Sequence, residues 1–344
     1  MSDLVSLIFY IVSFILSFFF YNIYCKHKNK IFLVLSFIVP MFIGGFRYMV
    51  GTDYISYLFM YNNNIKVNIA FDFIAKIASH FGGATALFFI YNFLTLFFIF
   101  LGLKNLDKDS KPMAYFCYLF TFYTTSFNIV RQSAAIAIIF YSYKFIINKD
   151  LKKWMFFVLL ASLFHSSALI CLPFYFIINA KKKSYKFLIF ILTLIISFKY
   201  IDIINLLSGF SYFSHYSIYA NTIDELANNR MFYIDLLLLI YILFNVKRIT
   251  NIDKKFDFYI FIFVIGFALE FTGFFNPYVK RIAEYFLISK VVILPQIALS
   301  YSYAKKRILH NLIFIIYCIG IFIIITYVLK QANILPYEFV GGIL

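Results

Sequence analysis

Four short polar knots interrupt an otherwise apolar chain, and their residue types are those that handle oxyanions and protons. The first, Gly44-Gly45-Phe46-Arg47-Tyr48-Met49-Val50-Gly51-Thr52-Asp53-Tyr54, sits directly behind the apolar run 31–45 and holds an arginine, a carboxylate and three glycines. Glycines let backbone N–H groups approach an anion closely. No Gly-Lys-Ser/Thr follows, so this is not a nucleotide P-loop; a tight turn closed by an Arg47–Asp53 pair is the plain alternative. In the second knot, Asn128, Arg131 and Gln132 stand at i, i+3 and i+4, on one face of a helix. An arginine at a helix N-terminus adds to the positive end of the dipole, which is unfavourable without an anion nearby. The small residues Ala134, Ala135 and Ala137 that follow suit close helix packing.

The third knot, His165-Ser166-Ser167, lies between two apolar arms. Imidazole titrates near neutrality and is the natural general base; a hydrogen-bonded packing histidine is the alternative. The serines have no acid nearby in sequence, which argues against a serine nucleophile. The fourth knot runs from Asn276 to Glu284, where Arg281 and Glu284 share a helix face beside Lys280 and Tyr285. Its plain reading is an i,i+3 salt bridge. Glu270 lies inside the preceding span, where a carboxylate is costly and is paired or functional. Lys280 or Arg281, across the Asn276-Pro277 turn, is the expected partner. No HExxH motif, paired acidic motif or CxxC is present, so neither a metal site nor a cofactor is expected.

These knots need a scaffold, and composition says which. At 63% hydrophobic with a mean hydropathy of +0.87, the chain cannot wrap a polar coat around a soluble core. It reads as an all-α polytopic integral membrane protein, a single transmembrane domain over 1–344. The net charge of +16 is not arranged for nucleic acid: the basic residues form short clusters between apolar runs, as cytoplasmic loops do. Cys25, Cys117, Cys171 and Cys318 are scattered and show no disulfide framework. The run from Leu4 to Tyr24 is too long for a signal h-region and reads as a retained span.

Placing the lysine clusters at 26–30, 104–111, 149–153, 181–186, 247–255 and 305–307 in the cytoplasm requires an even number of crossings between neighbours. Most intervals hold two runs: 31–45 and 84–103, 113–127 and 129–147, 187–200 and 231–245, 256–274 and 282–301. The interval 154–180 does so only as a short broken hairpin turning at His165-Ser166-Ser167. Each arm then rises ~16–22 Å, a length tolerated at membrane depth where it lines protein or water. The frame has about twelve helical segments (eleven if 154–180 is one span), with both termini outside. It places four of the six arginines, Arg47, Arg131, Arg230 and Arg281, on the outer side. Arginine against the charge bias suggests bidentate recognition of phosphate or carboxylate. Two longer outer loops, 46–83 and 201–229, contribute to the site. The first contains an amphipathic segment, Ile69 to Phe81, with Phe71, Ile74, Ile77 and Ala78 on one face. The second is rich in Ser, Tyr and Asn, which suits sugar faces.

The order of Phe46-Arg47, Val50-Gly51-Thr52-Asp53-Tyr54 and Tyr57, then Asn128-x-x-Arg131-Gln132, Phe164-His165-Ser166-Ser167-Ala168-Leu169-Ile170 and Arg281-x-x-Glu284-Tyr285-Phe286 resembles the EpsG-like branch of bacterial Wzy-type polysaccharide polymerases, from about 44 to 300. The resemblance implies a membrane glycosyltransferase that joins undecaprenyl-pyrophosphate-linked repeat units at the outer face of the bacterial cytoplasmic membrane, by metal-independent inverting transfer. It implies His165 as base, with Asp53 or Glu284 as substitutes. Arg47, Arg131 and Arg281, with Arg230, Asn128, Gln132, Tyr54 and Tyr285, would line the pyrophosphate and sugar site. The expected partners are the lipid-linked donor and acceptor, membrane lipid and a chain-length regulator. A lipid-linked oligosaccharide flippase, an O-antigen ligase and a membrane acyltransferase are the rival readings. A transporter would show pseudo-symmetry between halves, and none is visible.

Overall fold

A chain in hydrocarbon must satisfy its own backbone, and a helix does so within one segment. In the computed structural model, which describes residues 1–178, 191–195, 230–274 and 280–341 with positions 199, 202 and 206, helices dominate and no strand occurs among the described residues. The helices are α1 (Asp3–His27), α2 (Lys30–Gly45), α3 (Tyr54–Asn62), α4 (Ile69–Ala78), α5 (Gly83–Leu103), α6 (Lys111–Tyr118) and α7 (Val130–Ile147). They continue as α8 (Leu151–Phe164), α9 (Phe174–Ile178), α10 (Arg230–Ile252), α11 (Lys255–Glu270), α12 (Glu284–Leu287), α13 (Lys290–Leu299) and α14 (Ala304–Ile323).

Six helical stretches among the described residues are long and apolar enough to cross a membrane: Asp3–His27, Gly83–Leu103, Val130–Ile147, Lys255–Phe274, Arg281–Leu299 and Ala304–Val328. Shorter apolar helices, Lys30–Gly45 and Ser166–Phe176, accompany them. This is a polytopic helical membrane protein. The count of twelve goes further than these stretches, for identifiable reasons. The run 113–127 changes helix type, from α6 to a π segment (Leu119–Tyr123) and a 3₁₀ turn (Thr124–Phe127). The 23-residue α10 carries Asp235, Lys247 and Arg248 within its length. Most of 187–200 and of the loop 201–229, the lysines 181–186 and the Asn276-Pro277 turn lie outside the described residues.

The reversal expected in 154–180 is present over its described part, 154–178. α8 ends at Phe164, a 3₁₀ turn covers Ser166–Cys171, and the chain comes back. Trp154 Nε1 donates to the Leu172 carbonyl at 3.3 Å, and the Tyr175 hydroxyl to that of Lys149 at 2.7 Å. One continuous helix would hold residues 149 and 175 roughly 39 Å apart.

The chain divides into two compact units: residues 1–144, 155–169 and 294–344, and residues 145–154 and 170–293. In the first, Ser2 and Asn29 cap α1 and α2, accepting from Val5 N at 3.4 Å and Ile31 N at 3.0 Å. α1, α2 and α6 are stitched where the Ser17 and Tyr115 hydroxyls both donate to the Ser36 carbonyl, at 2.7 and 2.9 Å. α4 buries Ala70, Phe71, Ile74 and Ala78, the expected face with Ala70 in the place of Ile77. Lys28, Lys104, Lys108 and Lys111 gather around the Cys25 end of this unit. The 46–53 loop lies at the other end, where α2 runs out. Within this unit these lysines and the 46–53 loop thus lie at opposite ends of α2.

In the second unit α10 packs on α11 through Phe232 and Phe267, stacked at 4.7 Å. α11 meets α12 so closely that a Cβ on Gly266 would stand 2.9 Å from Leu287 N. Glycine is the residue that lets two helix backbones approach in this way.

Candidate functional site

In the first unit the 46–53 loop is built around Arg47, which is 2% exposed. Its Nε donates to the Val50 carbonyl (3.2 Å), Nη1 to Gly44 (2.5 Å) and Nη2 to Phe127 (3.4 Å). Its guanidinium lies between the rings of Phe88 and Phe127, at 4.5 and 4.6 Å, and Tyr54 stacks on the far face of Phe88 at 4.7 Å. Burial pulls the guanidinium down to about 10, which leaves it cationic at neutral pH. Arg47 makes no ion pair among the described residues, so the Arg47–Asp53 turn is not what closes the loop. Arg47 is the tie of the loop and not an open anion ligand, because carbonyls and ring faces already occupy its fork.

Gly51 has a φ of +99°, and a Cβ there would stand 2.7 Å from the Phe127 carbonyl, so only glycine fits. The turn it makes lets Thr52 donate twice to Asn128 Oδ1, from its N–H (2.6 Å) and its hydroxyl (3.0 Å). Asn128 is therefore a bracket between the first and second knots. A strap from the C-terminus holds the loop from behind: Gly51 N donates to Asn333 O (2.8 Å), Tyr48 N to Glu338 O (2.8 Å) and Val340 N to Phe46 O (2.9 Å). Arg47 and Phe339 form an isolated antiparallel bridge. Asp53 is partly buried, with its Oδ1 3.3 Å from the Thr52 hydroxyl.

Arg131 stands in the first turn of α7, partly buried. Its backbone N–H and Nε both donate to the Tyr57 hydroxyl, at 3.4 and 3.3 Å, and its guanidinium lies 5.7 Å from the Tyr57 ring. It makes no ion pair among the described residues. Unlike Arg47, whose fork is filled by three carbonyls, this cation stands in the first turn of a helix, the arrangement that favours an anion. Gln132 beside it is 3% exposed.

The hairpin tip joins this same unit. Asn68 caps α4 with its Oδ1 (Phe71 N, 2.8 Å) and uses its Nδ2 to hold the Phe164 carbonyl at 2.9 Å. Phe164 packs edge-on to Tyr91 of α5 at 6.2 Å. His165 follows, partly buried, with Nδ1 2.6 Å from the Ser167 hydroxyl. The serine sets the ring's orientation, which a base requires. The native cysteines are all buried, which makes the side of the membrane testable. A cysteine at the exposed Ser166, leaving the Ser167–His165 contact intact, is expected to react with an impermeant thiol reagent added outside intact cells. Labelling from the cytoplasmic side alone would overturn the twelve-segment frame.

In the second unit a different charge cluster appears. Lys290 Nζ contacts Asp235 Oδ1 and Oδ2 at 3.2 and 3.3 Å, with side chains 5% and 2% exposed. Glu270, 2% exposed, lies within electrostatic reach of Asp235, Lys280, Lys290 and Glu284. Lys280 is thus near Glu270 as expected, while Asp235 and Lys290 were missed. Their signal was available: each is a charge in mid-run where an intramembrane ionisable residue is functional by default. Arg281 is partly buried, Tyr285 is fully buried, and Arg230 is exposed at the start of α10. Of the anticipated site residues, the first unit brings together Arg47, Asp53, Tyr54 and Asn128 in one loop assembly and carries Arg131, Gln132 and His165. The second carries Arg230, Arg281, Glu284 and Tyr285. Sequence reasoning named Tyr57 within a motif without giving it a role, and missed Phe88 and Asn68; all three hold these groups in place.

A family model described as the EpsG family matches residues 30–339. No curated protein and no solved structure matches the chain.

Proposed function

The chain belongs to the EpsG family, a family of Wzy-like polysaccharide polymerases, and from that premise we propose that it joins undecaprenyl-pyrophosphate-linked oligosaccharide repeats at the outer face of the bacterial cytoplasmic membrane. The observation that carries the reading is Arg131, a partly buried guanidinium at a helix N-terminus with no carboxylate paired to it among the described residues. The acceptor sugar hydroxyl attacks the anomeric carbon of the donor glycan. The bond from that carbon to the pyrophosphate oxygen breaks with inversion, and the lipid pyrophosphate leaves. Arg131 neutralises the charge that grows on the leaving group, while His165, steadied by Ser167, takes the hydroxyl proton. Arg47 holds the loop that carries Thr52 and Asp53. A chain-length regulator is the expected protein partner.

The test is chain extension in vitro by the purified protein from a single lipid-linked repeat. Wild type is expected to yield a ladder of longer glycans on lipid. His165→Gln keeps a hydrogen bond to Ser167 and cannot accept a proton at working pH, so its ladder should be lost while the protein still folds. Extension by His165→Gln within a few-fold of wild type would move the base to Asp53 or Glu284. No extension by wild type, with translocation of the repeat across vesicles instead, would favour the flippase.

A further inference from the structure

Tyr91 lies on α5, 1% exposed, and its hydroxyl has no hydrogen-bond partner among the described residues. A buried tyrosine normally finds one, and where the hydroxyl serves only packing, phenylalanine is the more stable residue. Its surroundings are specific. Phe88, one turn earlier on the same helix face, lies edge-on against Tyr57 at 6.4 Å. Tyr91 itself packs on Phe164 at the hairpin tip. This face of α5 therefore fronts both Tyr57, which accepts from Arg131 N and Nε, and the turn that carries His165. The ionisable groups whose fields reach the Tyr91 hydroxyl are Tyr57, Arg131 and Asp72. Asp72 is engaged by the Val67 N–H at 3.0 Å, and no ion pair joins it to Arg131. The orphaned hydroxyl of Tyr118, by contrast, has the phenols Tyr115 and Tyr123 within electrostatic reach and no cation among the described residues.

A cation without a carboxylate and a buried donor without an acceptor thus share one neighbourhood, and an oxyanion satisfies both. We propose that Tyr91, Tyr57 and Arg131 form one anion subsite at the start of α7, in which the Tyr91 hydroxyl donates to a phosphate-class oxyanion held by the Arg131 guanidinium. The proposal rests on the polymerase reading and deepens it by naming a donor that no motif marks. Tyr57, already accepting from Arg131, keeps its own hydroxyl proton to donate to the same anion. The orphaned hydroxyl is then a stability cost retained for binding, in the way functional sites keep unsatisfied groups.

That trade-off makes the test two-sided. Purified full-length protein in detergent is titrated with inorganic pyrophosphate by calorimetry, and the ligand-free melting temperature is recorded. Tyr91→Phe is expected to bind pyrophosphate about tenfold more weakly or worse, the loss of one hydrogen bond to a charged group. Its ligand-free melting temperature should equal or exceed that of wild type. Tyr118→Phe, which removes the other orphaned hydroxyl, should raise stability in the same way and leave pyrophosphate binding unchanged. Equal affinity in Tyr91→Phe and wild type overturns the subsite, and so does a lowered melting temperature in Tyr91→Phe, which would make the hydroxyl structural. If wild type extends chains but binds no pyrophosphate, the subsite fails and the polymerase reading stands. If binding depends on Tyr91 but no chains are extended, the subsite stands without that reading.

Discussion

Arg131→Lys slows chain extension about a hundredfold, the scale of removing one preorganised donor from a developing charge. The fork of Arg131 does two things at once. One edge is spent on Tyr57, through Nε at 3.3 Å, and the rest of the planar group is left to meet a phosphate. Lysine supplies a point charge on a flexible stem and cannot hold both contacts in a fixed geometry. Arg131 is only partly buried and makes no ion pair among the described residues, so the substitution should leave the fold and the protein level unchanged. The measurement is extension rate at equal amounts of purified protein, with the melting temperature as control. Wild-type rates in Arg131→Lys would reduce this residue to a helix-end charge. The same substitution at Arg47 predicts the opposite pattern. Its guanidinium ties three carbonyls between two rings, so Arg47→Lys should first lower the melting temperature, and lose activity through the loop.

Lys290→Met is expected to destabilise the second unit by about 3–5 kcal/mol, the usual result of stranding one partner of a buried pair. Lys290 and Asp235 are almost inaccessible, and Asp235, Glu270 and Glu284 all lie in reach of the lysine. With Lys280, the cluster sets three carboxylates against two ammonium groups. Counting formal charges, its net is −1; Lys290→Met makes it −2, while the double change Asp235→Leu, Lys290→Met returns it to −1. Most of the lost stability should therefore come back in the double variant, read as thermal unfolding in detergent. If the single and double variants unfold at the same temperature, the pair is not what the unit depends on. A double variant that folds but fails in chain extension would place the pair in the site.

Much of this is written locally. The class of the protein follows from apolar run lengths alone, because a backbone in hydrocarbon has to close its hydrogen bonds within the segment. The helix starts at Ser2, Asn29 and Asn68 are equally local, each set by a side-chain oxygen reaching an N–H two or three residues on. The reversal in 154–180 could be read because lysines at both ends leave no room for one odd crossing, and the Trp154–Leu172 and Tyr175–Lys149 contacts carry it out. The mixed helix 111–127 was not legible, because a shift from α to π to 3₁₀ changes no hydropathy.

What sequence could not do was tell look-alike charges apart. Arg47 and Arg131 each follow apolar residues, and both read as anion ligands. Tertiary structure separates them: Arg47 meets a carbonyl 80 residues away, and its loop pairs with the C-terminal strap, while Arg131 meets a phenol 74 residues back. Asp235 and Lys290 likewise neutralise each other across 55 residues, and Tyr91 is defined by the partner it lacks. Propensity and capping act within a turn or two of chain, so sequence order determines them. Desolvation and charge pairing depend on which distant residue arrives, and only the packed helices decide that.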